Sequence, residues 1–159
     1  MRMTRRSLML STATILGSAA LLGTAAFNPV EAKKPSIYTG LVAGTAVGGY
    51  DPVAYFKQGK PVRGSSKYTL KHRGVTWRFS SAANRDAFKA SPGRYSPAFG
   101  GYCAWAVSQG YTAKGDPRAW KIVGGRLYLN YNRSIQKRWE GNQSANIRAG
   151  NRNWPKVLN

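Results

Sequence analysis

The stretch SKYTLKHRGVTWRFSS, residues 66–81, constrains this chain more than any other. Tyr68, Leu70 and His72 alternate with Thr69 and Lys71; Val75, Trp77 and Phe79 alternate with Thr76, Arg78 and Ser80. A period of two puts one set of side chains on one face of a strand, and Arg73-Gly74 between the runs supplies a tight turn. The segment therefore predicts a β-hairpin with one apolar face. A second hairpin is expected in AWKIVGGRLYLNY, where Trp120 and Ile122 face Leu127 and Leu129 across Gly124-Gly125.

Helix signals fall between and after the hairpins. Asp51 before Pro52 is a helix cap, and Gly59 closes that segment. Ser80 or Ser81 caps a short helix with Ala83, Ala87 and Phe88 on one side, and SPGRYSP starts another turn of helix or a loop. Asn132 caps a final helix carrying Ile135, Trp139 and Ile147, with Gly141 as a break. Hairpins alternating with helices, without βαβ units, predict an α+β fold: a small antiparallel sheet built from two β-hairpins, with short helices and a C-terminal helix. No internal repeat at a solenoid period is expected.

The first 32 residues have the pattern of a signal peptide. Arg2, Arg5 and Arg6 precede an apolar stretch diluted by Ser, Thr, Gly and Ala, and Val30-Glu31-Ala32 offers small residues where a signal peptidase reads. Ser7 to Phe27 is also long enough for a membrane span, the competing reading. Arg5-Arg6 followed by Leu8 resembles a twin-arginine export signal. The expectation is cleavage near Ala32 and a periplasmic or secreted protein, with residues 33–49 as a flexible lead-in and 50–159 as the domain. Without Arg2, Arg5, Arg6 and Glu31 the net charge is still +18, which favours an anionic cell-envelope surface as surroundings. The basic residues are dispersed, so no polybasic arm is present.

Most catalytic templates fail. The only carboxylates after residue 32 are Asp51, Asp86, Asp116 and Glu140, and none sits in a paired or His-bearing motif. No P-loop or dinucleotide fingerprint is present. One cysteine excludes an intrachain disulfide and a zinc ribbon. Cys103 and His72 remain, each the only residue of its kind, and thiolate with imidazole suits copper or zinc. The plain alternatives are a packed small thiol and a half-buried hairpin histidine. As a nucleophile, Cys103 would need His72 within hydrogen-bond reach and an orienting group such as Asp116 or Asn84. Trp77, Tyr102, Trp105, Tyr111, Trp120, Tyr128, Trp139 and Trp154 could stack on bases or sugars, but alternating strand aromatics are core, and export argues against nucleic acid.

The run from Gly49 to Val107, with GDPRAWKIVGGRLYLNYN and the closing NWPKVL, resembles the YHS domain family in its exported bacterial branch. The resemblance rests on Asp51-Pro52-Val53, Phe79-Ser80-Ser81, Ala87-Phe88, Pro92, Tyr95 and Gly100-Gly101-Tyr102-Cys103-Ala104, in order. It implies a small α+β module related to a heavy-metal sensor or trafficking fold, and metal binding as the role. Metal-type members carry cysteines where this chain has Ala54, Ser80 or Ser81, and Asn84, so that thiolate site is not assembled here.

Three functions follow as expectations. The first is an exported metal-handling protein binding copper, or failing that zinc, through Cys103 and His72. Its pocket would hold Tyr102 and Trp105, with Gly100 and Gly101 admitting close backbone approach and cationic neighbours lowering the thiol pKa. The second is a non-catalytic module whose aromatic cleft takes an organic ligand or a protein partner, with Cys103 packed. The third is a thiol-dependent enzyme.

Overall fold

The computed structural model describes residues 32–159. The signal-peptide features, Arg5 and Arg6 among them, lie outside the described residues. Among the described residues, no helix is long and apolar enough to cross a membrane.

The order of elements is α1 (Ala54–Lys57), β1 (Ser65–His72), β2 (Val75–Phe79), α2 (Ala82–Ala90), α3 (Pro92–Tyr95), α4 (Ala104–Ser108), β3 (Asp116–Val123), β4 (Arg126–Asn130), α5 (Arg133–Glu140) and α6 (Gln143–Asn153). The α+β class is as the patterning predicts, with both hairpins antiparallel. They form two separate two-stranded sheets, β1-β2 and β3-β4. Leu70 faces Trp77 and His72 faces Val75, so the alternation in the first hairpin sets its register. Turn residues Arg73 (φ 52°) and Gly74 (φ 78°), like Gly124 (φ 56°) and Gly125 (φ 74°), have the positive φ that a two-residue type I′ turn requires.

The two hairpins are copies of one design. Strand partners Ser65↔Phe79, Thr69↔Arg78, Leu70↔Trp77 and His72↔Val75 recur 51 residues later as Asp116↔Asn130, Trp120↔Leu129, Lys121↔Tyr128 and Val123↔Arg126. The register irregularity recurs too, between Ser65 and Thr69 and between Asp116 and Trp120. Each hairpin feeds a helix capped in the same way: Ser81 Oγ accepts from the Asn84 N–H at 3.1 Å, and Asn132 Oδ1 from the Ile135 N–H at 2.9 Å. Each follows the same left-handed turn, with Val47 (φ 53°) and Gly48 (φ 57°) in the first copy and Phe99 (φ 54°) and Gly100 (φ 60°) in the second. Aligned on those turns, Ala46-Val47-Gly48-Gly49-Tyr50-Asp51 stands over Ala98-Phe99-Gly100-Gly101-Tyr102-Cys103. The repetition has two members and a period longer than a solenoid's, which is why a scan for solenoid periods does not find it.

Two apolar clusters share strand β4. Leu127 and Leu129 join Val53, Tyr55, Trp77, Phe79 and Phe88 on one side. Tyr128, on the opposite face, joins Phe99, Val107, Trp139 and Leu158. With both faces covered, β4 is the central wall of the molecule, and Tyr128 belongs to the core that alternation gave only to Leu127 and Leu129. Tyr55 crosses between the copies: its Oη donates to the Pro117 carbonyl at 2.7 Å and its ring meets Trp120 edge-on. Residues 33–49, expected as a flexible lead-in, are packed at several points. Ile37, Ala46 and Val47 are buried, and the Tyr38 N–H donates to the Gly100 carbonyl at 2.9 Å.

One helix expectation holds and one needs adjustment. The final helix is broken at Gly141, as its glycine suggested, into α5 and α6. On α2 the inward residue beside Phe88 is Asn84, not Ala83, which is exposed. Asn84 is held inside because its Nδ2 donates to the Asp51 carboxylate at 2.8 Å.

That carboxylate organises the first copy. Asp51 is fully buried; Oδ1 accepts from the Val53 and Ala54 amides, and Oδ2 from the Ser80 amide, the Ser80 hydroxyl and Asn84. It thus caps α1, fixes the end of β2 and holds the start of α2. Truncating it leaves several buried donors unpaired, and a hydrogen bond to a charged group contributes about 1.5–3 kcal/mol. Asp51→Ala is therefore expected to lower unfolding stability in urea by at least about 3 kcal/mol, a large share of the roughly 5–15 kcal/mol of a typical domain. A loss below about 1 kcal/mol would show the network to be dispensable.

Candidate functional site

The structure divides the sequence-predicted site residues between two cavities and the core. Cys103 and Trp105 line a cleft of about 260 Å³ with Ala106, Tyr111, Tyr131 and Ile135. His72 and Gly100 line a different cavity of about 380 Å³, and the two linings share no residue. Tyr102 lines neither; it is buried against Tyr38, and its hydroxyl donates to the Pro35 carbonyl at 2.9 Å. Gly101 is buried in the core, beside Pro97 and Leu129. Gly100 does admit a close backbone approach, but the backbone is this chain's own: a Cβ there would collide with the Ser36 carbonyl oxygen.

Cys103 precedes α4, where its copy-equivalent, Asp51, caps α1. A thiol is a poor cap, and the work passes to another residue. Asn130, fully buried at the end of β4, accepts from the Trp105 N–H at 3.1 Å and has the Cys103 sulfur 3.7 Å from the same oxygen. Both neighbours donate, so the carboxamide must turn Oδ1 towards them. Its Nδ2 has no hydrogen-bond partner among the described residues.

The thiol is not activated. Burial pushes the Cys103 pKa up, more than the backbone amides of Ala106, Tyr131 and Trp105 pull it down. The sequence expectation of a lowered pKa is overturned because the arginines and lysines stay at the surface while Cys103 is only 1 % exposed. The orienting groups considered for a nucleophile are engaged elsewhere: Asn84 with Asp51, and Asp116 with the Arg118 guanidinium at 3.2 Å. His72 is half-buried beside Phe88 and Trp77, and its backbone carbonyl accepts from the Trp77 indole at 3.1 Å.

The repetition explains the cleft. Its residues Cys103, Trp105, Ala106, Tyr131 and Ile135 occupy the places that Asp51, Val53, Ala54, Ser80 and Asn84 occupy in the first copy. There the space is closed by the Asp51 hydrogen bonds. In the second copy Tyr131 stands where Ser80 stood and Ile135 where Asn84 stood, Trp105 replaces Val53, and Tyr111 adds a further ring; Tyr111 and Tyr131 are 51 % and 42 % exposed. Two cations stack on those walls, Lys114 Nζ 4.8 Å from the centre of the Tyr131 ring and Arg138 Cζ 5.8 Å from that of Trp105. The sequence reading picked out Cys103 and Trp105 but missed Tyr131 and Ile135; aligning the copies on their glycine turns would have found them.

Of the positions where metal-type YHS members carry cysteine, Ala54, Ser80 or Ser81, and Asn84, the Ala54 amide, Ser80 and Asn84 meet at the Asp51 carboxylate, while Ser81 caps α2. The second-copy equivalents of Ala54, Ser80 and Asn84 are Ala106, Tyr131 and Ile135. Neither copy offers a thiolate set, and no group of three or more His, Cys, Asp or Glu gathers among the described residues. Comparison with protein-family models, curated proteins and solved structures finds no match to this chain.

A raised thiol pKa has a sign that can be measured. The folded state holds the Cys103 proton more tightly than the unfolded state, so its contribution is fully present below the unfolded thiol's value of about 8.5 and is lost as pH rises through the folded value. Between about pH 8 and 10, unfolding free energy should fall more steeply for the wild type than for Cys103→Ala, since the tyrosines that begin to titrate there are common to both proteins and cancel. Equal slopes in urea titrations would contradict the shift.

Proposed function

We propose that this protein is an exported, non-catalytic binding module whose ligand enters the cleft over Cys103. The ligand is a small organic molecule presenting an apolar ring or short branched chain. One observation carries the reading: the place sealed by hydrogen bonds in the first copy is walled in the second by Trp105, Tyr111, Tyr131 and Ile135. Small-molecule sites are concave, mostly apolar and furnished with few polar groups. A cleft of about 260 Å³ suits a single ring better than a larger molecule. Export rests on the signal-like first 32 residues, and the YHS-like motifs support a module that binds.

The soft-metal reading draws less support from this arrangement. Two-coordinate copper needs a second soft donor, and His72 lines the other cavity. Thiol catalysis draws less still, since a buried thiol with a raised pKa supplies little thiolate.

The test uses indole as the probe, followed by amide chemical shifts and thermal stability. Indole should shift resonances of Cys103, Ala113 and Ile135, and filling the cleft with Ile135→Trp should weaken its binding at least tenfold. Parallel titrations with Cu(I) and Zn(II) should leave wild type and Cys103→Ser alike. Absence of indole shifts at the cleft, together with metal binding that Cys103→Ser abolishes, would replace this reading with the metal one.

A further inference from the structure

The geometry points to a second, separate binding site: the cavity between the two hairpin turns takes a small organic anion with a flat apolar body. Its basic lining is His72 and Arg73 from the end of the first hairpin and Arg126 from the start of β4, and its aromatic lining is Trp77, Phe99 and Trp154. At about 380 Å³ it falls within the range of small-molecule pockets, and it shares no residue with the Cys103 cleft.

The charge balance selects the ligand. Among the described residues, no acidic residue lines the cavity. The described acids are all occupied elsewhere: Asp51 in its buried network, Asp86 with Arg85, Asp116 with Arg118, and Glu140 with Gln136 and Lys121. Arg73 and Arg126 form no ion pair with any of them and stack on no ring among the described residues. Guanidinium groups present planar donor forks that match carboxylate and phosphate oxygens. Two unpaired forks beside an imidazole and the Trp154 indole define an oxyanion site with a surface for a ring.

Arg73 also occupies its turn against backbone preference. At φ 52° it holds the left-handed conformation that favours Gly, Asn or Asp, and the equivalent turn position in the second copy is Gly124. The first hairpin thus keeps a guanidinium at the cavity where glycine would form the turn more easily. Strain of this kind concentrates at functional positions. The walls are fixed: Trp77 Nε1 donates to the His72 carbonyl at 3.1 Å, and the Lys34 amide donates to the Leu158 carbonyl at 2.7 Å, tying together the terminal arms that carry Ser36 and Trp154.

The probes are phenyl phosphate, benzoate and inorganic phosphate, titrated calorimetrically at fixed ionic strength and followed by the Trp154 indole and Gly93 amide resonances. Phenyl phosphate and benzoate should both shift those resonances, and phenyl phosphate should bind at least tenfold tighter than inorganic phosphate. Arg73→Gly, which suits the turn, and Arg126→Ala should each weaken phenyl phosphate at least fivefold. Lys137→Ala, at an exposed position of α5, should change nothing, which separates the site from the general positive field. The inference is overturned if all three variants bind alike, if inorganic phosphate matches phenyl phosphate, or if the shifts fall at Cys103 and Ile135 instead. Failure here leaves the Cys103 cleft untouched, since indole and phenyl phosphate report on different resonances.

Discussion

A buried carboxylate without a cationic partner is the constraint from which the rest of this structure follows. Among the described residues Asp51 has no ion pair; it is held by amide, hydroxyl and carboxamide donors. Such an arrangement is stable only while nearly every lone pair is used, because a buried charge short of hydrogen bonds costs several kcal/mol. Three elements must therefore meet at one point: the first turn of α1, Ser80 just past the end of β2, and the first turn of α2. Once they do, Phe79, Phe88 and Trp77 are brought into the same cluster and the first copy has its core.

The second copy solves the same junction with different chemistry. Asn130 supplies the capping oxygen that Cys103 cannot, reaching back from the strand to α4, where an acid at position 103 would have capped the helix as Asp51 caps α1. An amide carries no full charge, so fewer donors need gather around it. Ser80 and Asn84, which fill the first junction, are replaced by Tyr131 and Ile135, and the space between these and Trp105 opens to solvent. The difference between a sealed joint and a cleft thus reduces to which side chain brings the capping oxygen.

Much of the fold was legible because local patterning decides it. Alternation placed both hairpins, and the caps Ser81 and Asn132 and the break at Gly141 marked the helices. What alternation could not show was long-range. Alternation puts Tyr128 on the face opposite Leu127 and Leu129, and only the fold shows that Trp139 and Phe99 cover that face. Asn84 reads as a solvent residue until an acid more than thirty positions earlier claims its amide. The site was legible only in part for the same reason. Composition singled out Cys103 and His72 for their rarity, whereas their partners are common residues placed by packing. The expected lowering of the thiol pKa assumed that charge close in sequence is close in space.

The repetition of the hairpin unit bears on origin as well as on architecture. One unit alone would expose the Tyr55 ring and the open side of its strands, and would need a second unit to cover them. Two separate chains meeting in that way would form a homodimer, with an assembly penalty that rises on dilution. Joining them end to end removes the dependence on concentration, since a short tether holds the halves at an effective local concentration of about millimolar. It also frees the two halves from having to be identical, so that one can remain closed while the other acquires rings of its own.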